Sequence, residues 1–219
     1  MRRSPCVSYF KPYLSSVLRT YMPCLPTRAM KAPSGEQWVH EVKHDGYRLM
    51  ARKVDGRVRL YTKQGYDWSR KYPLIAEALY RLRATSIVLD GEAMCFTNGM
   101  HDFDKLWSNC FDETVRLCAF DLLELNGEDY RAKPLAERKK RLARLLARPR
   151  DGIEYVEHLE GDGGRIFEHA CKLGLEGIVS KRVDLPYRPG PSKSWLKIKN
   201  PTHPAMMRIQ EAFERERMR

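Results

Sequence analysis

Two pairs of charged side chains are spaced so that each pair would leave one face of a β-strand. Glu41 and Lys43 alternate in a run with strand character, and Lys197 and Lys199 alternate in the last extended run of the chain. Side chains two residues apart in a strand point the same way, so the second pair would direct two ammonium groups at one anion and clamp a phosphate. The alternative for Lys197 and Lys199 is an edge strand that lysines protect from further pairing.

Two carboxylates show the same spacing. Asp90 and Glu92 occupy even positions within residues 87–96, where the odd positions are apolar or small. Both would therefore leave the same side of a strand. Taken singly, these acids could equally be solvated carboxylates on a strand surface. In the same way, Phe120 could be a core aromatic residue and Glu176 a surface acid beside a helix.

The chain must position these groups on short strands and a few helices. Asp55-Gly56 is a two-residue hairpin signal that joins two of the strands. Apolar residues at helical spacing predict the helices, and alternating or β-branched runs predict the strands. The predicted strands cover residues 37–43, 47–54, 57–62, 87–96, 115–125, 178–181 and 195–199, and the predicted helices cover residues 72–83, 134–147, 166–173 and 205–219.

The helix predicted at residues 134–147 is amphipathic and basic. Its apolar positions would face the core, and its basic positions would largely face solvent. A solvated face explains this charge better than a DNA-reading surface does. The inward set is Leu135, Leu142, Leu145 and Leu146, and the outward set is Arg138, Lys139, Arg141 and Arg144.

Size and composition indicate a folded protein with one ordinary core, or with two small lobes around a cleft. The chain has 219 residues, of which 42% are hydrophobic and 31% charged. Its 40 basic residues outnumber 28 acidic ones and give a formal net charge of +12. This charge suits a polyanionic partner, because phosphate contacts supply most nucleic-acid affinity. On charge alone, a basic protein without such a partner is an equal alternative.

Cysteine spacing and hydropathy indicate a protein that stays inside the cell. The six cysteines form no Cys-x-x-Cys pair and lack the dense spacing of a disulfide framework, which favours a reducing cytoplasm. No apolar run approaches the roughly 20 residues of a membrane span, so no membrane association is expected. Lys11 and Pro12 interrupt the apolar stretch near the N-terminus and make it a poor signal peptide.

The first 30 residues contain four prolines and no sustained period. We expect most of this segment to be irregular, with residues 1–22 forming a flexible leader. Met22 is an alternative start of the natural protein. An intact mass that includes residues 1–21 would exclude that start.

Five short segments occur in an order that resembles the nucleotidyltransferase domain shared by ATP-dependent DNA ligases, RNA ligases and mRNA-capping enzymes. The resemblance is closest to the ligase domain of bacterial non-homologous end-joining ligases, and it runs from about Pro23 to Asn200. A lone Lys-x-Asp-Gly is a weak signal, but five motifs in the family's order are a strong one. The segments are EVKHDGYR at 41–48, LDGE at 89–92, FDLL at 120–123, EGIVSK at 176–181 and WLKIK at 195–199.

This resemblance implies a reaction in which Lys43 attacks the α-phosphate of ATP and expels pyrophosphate, leaving a lysyl-AMP phosphoramidate. The AMP then passes to a 5′-phosphate at a nick, and the neighbouring 3′-hydroxyl displaces it. A lysine attacks phosphorus only as the free amine, and nearby cations favour that form. Lys197 and Lys199 would supply those cations.

The resemblance also assigns the residues around the nucleotide. Glu41 would accept a hydrogen bond from the adenine amino group, and Phe120 would stack on the base. Arg48 would bind the sugar or the nick phosphate. Lys197 and Lys199 would hold the α-phosphate, with Lys181 nearby.

The resemblance implies that acidic residues bind a divalent metal ion. Glu92 would face the ribose or a metal ion. Glu176, together with Glu92 and less surely Asp45, would support Mg²⁺ or Mn²⁺, since these hard cations prefer carboxylates and substrate phosphates.

The implied architecture is the α+β nucleotidyltransferase fold, with mainly antiparallel β-sheets flanked by helices around an ATP cleft. Residues 23–200 would form the adenylation domain, and residues 201–219 a charged C-terminal helix or tail. Nicked duplex DNA would be the partner in the bacterial cytoplasm, for repair or recombination.

The sequence departs from the family in two places. Thr62-Lys63-Gln64-Gly65 replaces the usual Ser-Arg-x-Gly, so Lys63 keeps the charge but loses the planar fork that grips a phosphate. Only about twenty residues follow Asn200, too few for the oligonucleotide-binding barrel of a full ligase.

Several interpretations follow from these departures. The chain is expected to be a minimal ligase, aided by an end-joining or other repair protein that clamps DNA, or an adenylyltransferase that seals nicks incompletely. A non-catalytic nick-binding scaffold derived from a ligase is the alternative from another class. An RNA ligase or a capping guanylyltransferase is the enzymatic rival.

Overall fold

The structure, a computed structural model, describes residues 21–97, 100–101, 105–106 and 112–204. Thirteen strands and three helices of eight residues or more lie within these residues, together with a 3₁₀ turn at Asp112–Thr114. The strands are β1 Cys24–Arg28, β2 Trp38–Val42, β3 Tyr47–Val54, β4 Arg57–Thr62, β5 Ser86–Met94, β6 Phe96–Thr97, β7 Met100–His101, β8 Arg116–Leu125, β9 Glu128–Asp129, β10 Ile153–Tyr155, β11 Leu159–Glu160, β12 Gly177–Arg182 and β13 Gly190–Lys199. The helices are α1 Pro73–Tyr80, α2 Leu135–Leu145 and α3 Gly163–Lys172.

Two sheets contain most of these strands. The first sheet has the order β1-β13-β12-β2-β11, and the second has the order β10-β8-β5-β3-β4, with β9 beside β8. Only β1 with β13 and β8 with β10 pair in parallel among the described strands; the other pairs are antiparallel. The predicted α+β fold with mainly antiparallel sheets is therefore confirmed.

The alternation of β3 divides the core into two layers. Leu49 and Ala51 pack in the largest apolar cluster, which joins the second sheet to α1 and α2. Met50 points to the opposite face of β3, because side chains alternate along a strand. It packs with Tyr187 and with Trp195 of β13, a strand of the first sheet. The two sheets therefore meet around a smaller apolar cluster, and the space beside that cluster is available for a site.

The hairpin between β3 and β4 matches its sequence signal. Asp55 and Gly56 take left-handed φ values of 48° and 74°, which a tight turn between right-twisted antiparallel strands requires. The pairing then runs in register from Val54↔Arg57 to Leu49↔Thr62. This hairpin places Lys63 directly after β4.

The two lysines of the last strand do not protect an edge. β13 lies between β1 and β12, so both of its sides are hydrogen-bonded to neighbouring strands. The edge-strand interpretation of Lys197 and Lys199 is therefore wrong. Their alternation with Leu196 and Ile198 instead directs the ammonium groups away from the apolar layer in which Ile198 packs.

Three sequence-based expectations need correction. β1 forms within the first 30 residues, most of which were expected to be irregular. Pro26 interrupts the alternating pattern that would predict this strand. The strand nevertheless pairs in parallel with β13, and the register shifts after Pro26. α3 begins three residues before the predicted start, because the Asp162 side chain accepts a hydrogen bond from the Arg165 backbone N–H at 2.9 Å and caps the helix. Most of the leader (residues 1–20) and the helix at 205–219 lie outside the described residues and stay predictions.

The third correction concerns α2, where Arg138 and Lys139 point inward. Both are buried, whereas Arg141 and Arg144 are exposed as expected. Arg138 donates from Nε and Nη2 to the two oxygens of Asp121 at 2.8 and 2.9 Å, and Asp121 is itself fully buried on β8. Hydropathy assigns a basic residue to solvent, but a buried carboxylate opposite it reverses that assignment.

No helix of the described residues is long and apolar enough to cross a membrane.

Replacing Arg138 with alanine tests this inward pair. Because Asp121 would remain buried without a counter-charge, the free energy of unfolding should fall by about 3 to 5 kcal/mol. Urea unfolding measures the change, and Arg141→Ala on the exposed face of the same helix is the matched control, expected to stay within about 0.5 kcal/mol of the wild type. Equal unfolding midpoints for the two variants would contradict the assignment.

Candidate functional site

A cavity of about 220 Å³ lies between the two sheets and collects most of the predicted site residues. Eight of the eleven predicted residues line it. Glu176 reaches it through its contact with Lys43, and Lys199 through its contact with Glu176. Asp45 follows β2 in a loop outside the lining. The lining consists of Leu25, Pro26, Glu41, Val42, Lys43, His44, Arg48, Lys63, Glu92, Phe120, Val179, Lys181, Trp195 and Lys197.

A larger groove of about 840 Å³ lies between α2, the start of β2 and residues 155–162. None of the predicted site residues lines it. Size alone would select this groove, but the convergent charged groups lie in the smaller cavity, which is therefore the candidate site.

Lys43 stands at the end of β2 and is tied to the neighbouring strand. Its backbone N–H donates to the Gly177 carbonyl at 2.9 Å, and its Nζ donates to Glu176 Oε2 at 2.6 Å. Lys199 Nζ lies 3.1 Å from the other oxygen, Glu176 Oε1. One buried carboxylate thus holds two lysines.

Pairing between strands explains how the motif segments meet. Val179 on the central strand β12 lies opposite Glu41 on one side and Lys197 on the other. Gly177 begins β12 with φ of 139°, and a Cβ there would lie 2.0 Å from the Ile198 carbonyl oxygen. Only glycine permits this approach, which brings Glu176 close to Lys199.

The Glu41 carboxylate is buried and holds two lysines. Lys139 Nζ lies 2.5 Å from Oε1, and Lys181 Nζ lies 2.5 Å from Oε2. Burial raises the pKa of Glu41, but the two cations more than offset this effect, so its pKa lies below the ordinary value. Glu41 is thus an ionised acceptor at the cavity wall.

Lys181 lies against two aromatic rings. Its Nζ is 4.3 Å from the centroid of the Phe120 ring and 4.0 Å from that of the Trp195 ring. Burial lowers the pKa of Lys181, and Glu41 opposes this effect only in part. The two rings meet edge to face at 5.9 Å and form the apolar side of the cavity.

Arg48 is held by the first acid of the LDGE segment. Its Nε and Nη2 donate to Asp90 Oδ1 and Oδ2 at 2.9 and 2.6 Å, and Asp90 is fully buried. Tyr187 donates its hydroxyl hydrogen to Asp90 Oδ2 at 2.7 Å and accepts from the Cys24 backbone N–H at 2.7 Å. The guanidinium group also lies over the Phe120 ring, 5.2 Å from its centroid. Asp90 therefore positions Arg48 and is closed to ligand.

Glu92 points into the cavity beside these cations. Burial raises its pKa to about 7, although Lys43 and Arg48 counteract part of the rise. Lys197 shows the opposite effect, since burial, followed by the charges of Lys199 and Lys43, lowers its pKa. An acid whose pKa lies above its ordinary value and a lysine whose pKa lies below its own line the same cavity, and such perturbed groups are common at functional sites.

Glu92, Glu176 and Asp45 are the predicted ligands of Mg²⁺. Within the described ranges, no group of three or more His, Cys, Asp or Glu side chains is arranged to hold a metal ion, so Glu92, Glu176 and Asp45 do not form a preassembled cage. Glu92 and Glu176 are nevertheless close enough to influence each other electrostatically. Two carboxylates completed by substrate phosphates are a usual Mg²⁺ environment, and in this sense the residues fit the ion.

Sequence reasoning missed three contributors. The amphipathic pattern of α2 predicts that Lys139 faces solvent. Tyr187 lies outside the five motif segments. Trp195 lies within one of them, but the resemblance gives it no role. Tyr187 depends on a contact with a residue 97 positions away, which no local pattern could reveal. Trp195 shares the strand face of Lys197, and that shared face was the available signal.

Comparisons with known proteins agree with this geometry. The family model described as the ATP dependent DNA ligase domain matches residues 21–199. The multifunctional non-homologous end joining protein LigD of Pseudomonas aeruginosa is 40% identical over 203 residues, which cover 90% of this chain and 23% of that protein. The chain thus spans about a quarter of the length of such relatives.

Solved structures show the same relationship. The ligase domain from M. tuberculosis LigD superposes with a TM-score of 0.73 at 35% identity, covering 82% of this chain and 59% of that one. A mycobacterial DNA ligase D complexed with ATP and MES gives a TM-score of 0.71 at 34% identity, covering 82% and 60% of the two chains.

Glu92→Gln tests the electrostatics of the cavity. In wild-type protein without divalent metal, ionisation of Glu92 should cost stability as pH rises from 4.5, the ordinary pKa, to about 7, the pKa in the folded chain. Glutamine does not ionise, so the variant should unfold with a free energy higher by about 1 to 3 kcal/mol near pH 8, and this gain should vanish near pH 4.

Urea unfolding across this pH range measures the difference. The exposed Glu157, replaced by glutamine, is the control and should show no such pH dependence. A constant offset between Glu92→Gln and the wild type at all pH values would contradict the raised pKa.

Proposed function

The chain belongs to the ATP-dependent DNA ligase domain family, and from this premise we propose that it is a ligase catalytic core that transfers AMP from ATP to Lys43. The AMP then passes to the 5′-phosphate of a DNA nick, where the 3′-hydroxyl completes the phosphodiester bond. One observation carries the proposal: Lys43, Lys199 and Glu176 converge at 2.6 and 3.1 Å beside a cavity walled by two aromatic rings.

The base of ATP occupies the cavity in this proposal. At about 220 Å³ the cavity is smaller than the roughly 300–1,000 Å³ of typical ligand sites, so it encloses the base and sugar and leaves the phosphates at its mouth. Phe120 supplies an apolar face, and the ionised Glu41 supplies an acceptor for the adenine amino group. Arg48 is held rigidly by Asp90 and presents its charge toward the sugar or the nick phosphate.

The phosphates are held by lysines. Lys197 lines the cavity, Lys199 lies beside Lys43 on Glu176, and the exposed Lys63 is close enough to influence Lys197. Charge on the transferring phosphate must be stabilised, so these fixed cations are the protein's main contribution. The Lys43 ammonium group first gives one proton to solvent. The amine nitrogen then forms the bond to the α-phosphorus as the bond to pyrophosphate breaks, and a second proton leaves the nitrogen for solvent to give the phosphoramidate N–H.

A divalent cation completes the proposed site. Glu92 and Glu176, and less surely Asp45, would hold Mg²⁺ or Mn²⁺ together with the substrate phosphates. When bound, the cation neutralises charge on the phosphates and favours the ionised form of Glu92.

The proposed partner is nicked duplex DNA in the bacterial cytoplasm. The net charge of +12 suits a polyanion. The four cysteines of the described residues are free thiols, as a reducing compartment favours. The relative from Pseudomonas aeruginosa is named for non-homologous end joining, which supports a repair role alongside end-joining proteins.

Lys43→Ala should abolish covalent labelling by α-phosphate-labelled ATP, because alanine carries no nucleophile at this position. Gel autoradiography measures the labelling. Lys193→Ala is the control, since Lys193 is an exposed lysine on β13 and should label as the wild type does. Equal labelling of Lys43→Ala and the wild type would refute the nucleophile assignment.

Nick sealing separates the later steps from the first. With ATP and Mg²⁺, the chain should seal a nicked DNA duplex, and it should seal a pre-adenylylated nick without ATP. Denaturing electrophoresis of the joined strand measures both reactions. Sealing of only the pre-adenylylated nick would locate the defect in the first step, whereas sealing only of nicked RNA duplexes would contradict the DNA assignment.

A further inference from the structure

We propose that Lys139 is a positioning residue that fixes the Glu41 carboxylate as a hydrogen-bond acceptor facing the purine, and thereby selects a purine with a 6-amino group over one with a 6-oxo group. Lys139 lies outside all five motif segments. The inference rests on the proposed function, since it requires that the cavity receive a nucleotide.

The contact geometry singles out Lys139. Its Nζ donates to Glu41 Oε1 at 2.5 Å and to the Val156 carbonyl at 2.9 Å, which fixes the ammonium group from two directions. Lys139 and Glu41 side chains are each 3% exposed, so water hardly screens the pair. A buried charge contact of this kind is maintained only when the geometry is good and the partners are bonded.

The helix delivers this ammonium group from a fixed position. Arg138, the preceding residue of α2, is locked onto Asp121 of β8. α2 therefore cannot shift along the second sheet without breaking that buried pair. Lys139 reaches from this anchored helix across to Glu41, which stands on β2 of the other sheet. The position of the Glu41 carboxylate is thus fixed relative to both sheets that enclose the cavity.

An ionised carboxylate discriminates between purines. It offers only hydrogen-bond acceptors, so it bonds the 6-amino group of adenine and opposes the 6-oxo group of guanine. A protonated or rotated carboxyl group would lose this preference. Charged and titratable groups from several elements face Glu41 and its two lysines. Glu41 meets Lys139 on α2, Lys181 on β12, and the titratable Tyr155 and His158 on or near β10 and β11, and Asp121 on β8 acts on both lysines.

The two lysines on Glu41 are unequal. Burial lowers the pKa of Lys139, but Glu41 raises it by more, whereas the pKa of Lys181 stays below the ordinary value. Lys139 is also the lysine that a second partner, the Val156 carbonyl, holds in place. Without the Lys139 ammonium group, the Glu41 carboxylate would still be paired with Lys181, so we expect the fold to be retained. Glu41 Oε1, however, would lose the donor that holds it in position.

The test compares ATP with the triphosphate of purine riboside, which lacks only the 6-amino group. Equilibrium binding is measured without divalent metal, so that no chemistry follows. Wild-type protein should prefer ATP by roughly tenfold to a hundredfold, the usual value of one buried hydrogen bond to a charged group. In Lys139→Met this preference should shrink to about threefold or less, with the loss falling on ATP.

Three further variants make the result specific. Lys139→Arg keeps the charge and should retain the preference. Lys140→Met changes the adjacent exposed lysine of α2 and should bind both nucleotides as the wild type does. Lys139→Gln keeps a donor for the Val156 carbonyl and replaces the Met variant if that variant does not fold. Circular dichroism establishes folding in each case.

The outcomes separate this inference from the proposed function. If wild-type protein forms lysyl-AMP but folded Lys139→Met or Lys139→Gln keeps the full preference, the role of Lys139 is wrong and the function stands. If ATP binds with the predicted preference but no lysyl-AMP forms, the function is wrong and the role of Lys139 stands. Equal loss of both nucleotides in the variant indicates a merely structural role, and absence of ATP binding to the wild type overturns both.

Discussion

Burying a carboxylate requires partners that compensate its charge, and the site depends on three carboxylates that meet this requirement in the same way. Each stands on or beside a different strand and holds two partners, so each ties separate parts of the fold together. Glu41 holds Lys139 and Lys181, Asp90 holds Arg48 and Tyr187, and Glu176 holds Lys43 and Lys199. The acids of the motif segments are thus also the residues that assemble the cavity.

These pairs differ in how readily a nucleotide could change them. Asp90 is fully buried and closes on Arg48 through two hydrogen bonds, so that pair serves as a fixed support. The Lys43 side chain keeps 20% of its surface exposed, and it faces a cavity that would hold phosphates at its mouth. Incoming phosphates offer Lys199 and Lys197 new anionic partners. The free protein therefore holds Lys43 and Lys199 on Glu176, and in the proposed function the substrate phosphates would replace that carboxylate.

Strand alternation predicts which charged residues share a strand face, whereas the α+β architecture and the roles of the site residues come from the resemblance to the ligase family. The period of two placed Lys197 with Lys199 and Glu41 with Lys43, and the hairpin signal at Asp55 was correct. The prediction that the basic residues of α2 face solvent is wrong for Lys139. This lysine is buried and pairs with Glu41, which lies 98 positions away in the sequence. Hydropathy cannot report such a contact. β1 was missed for a different reason, since Pro26 interrupts the pattern and a neighbouring strand supplies the regularity.

The position of the first covalent bond tests the account most directly. Wild-type protein would be incubated with ATP and Mg²⁺, digested under conditions that preserve phosphoramidates, and mapped by mass spectrometry. The account predicts AMP on the peptide that contains Lys43, attached to its Nζ and removed by acid. An adduct on Lys197, Lys199 or another lysine, or unmodified protein alongside active nucleotide binding, would contradict the role assigned to Lys43.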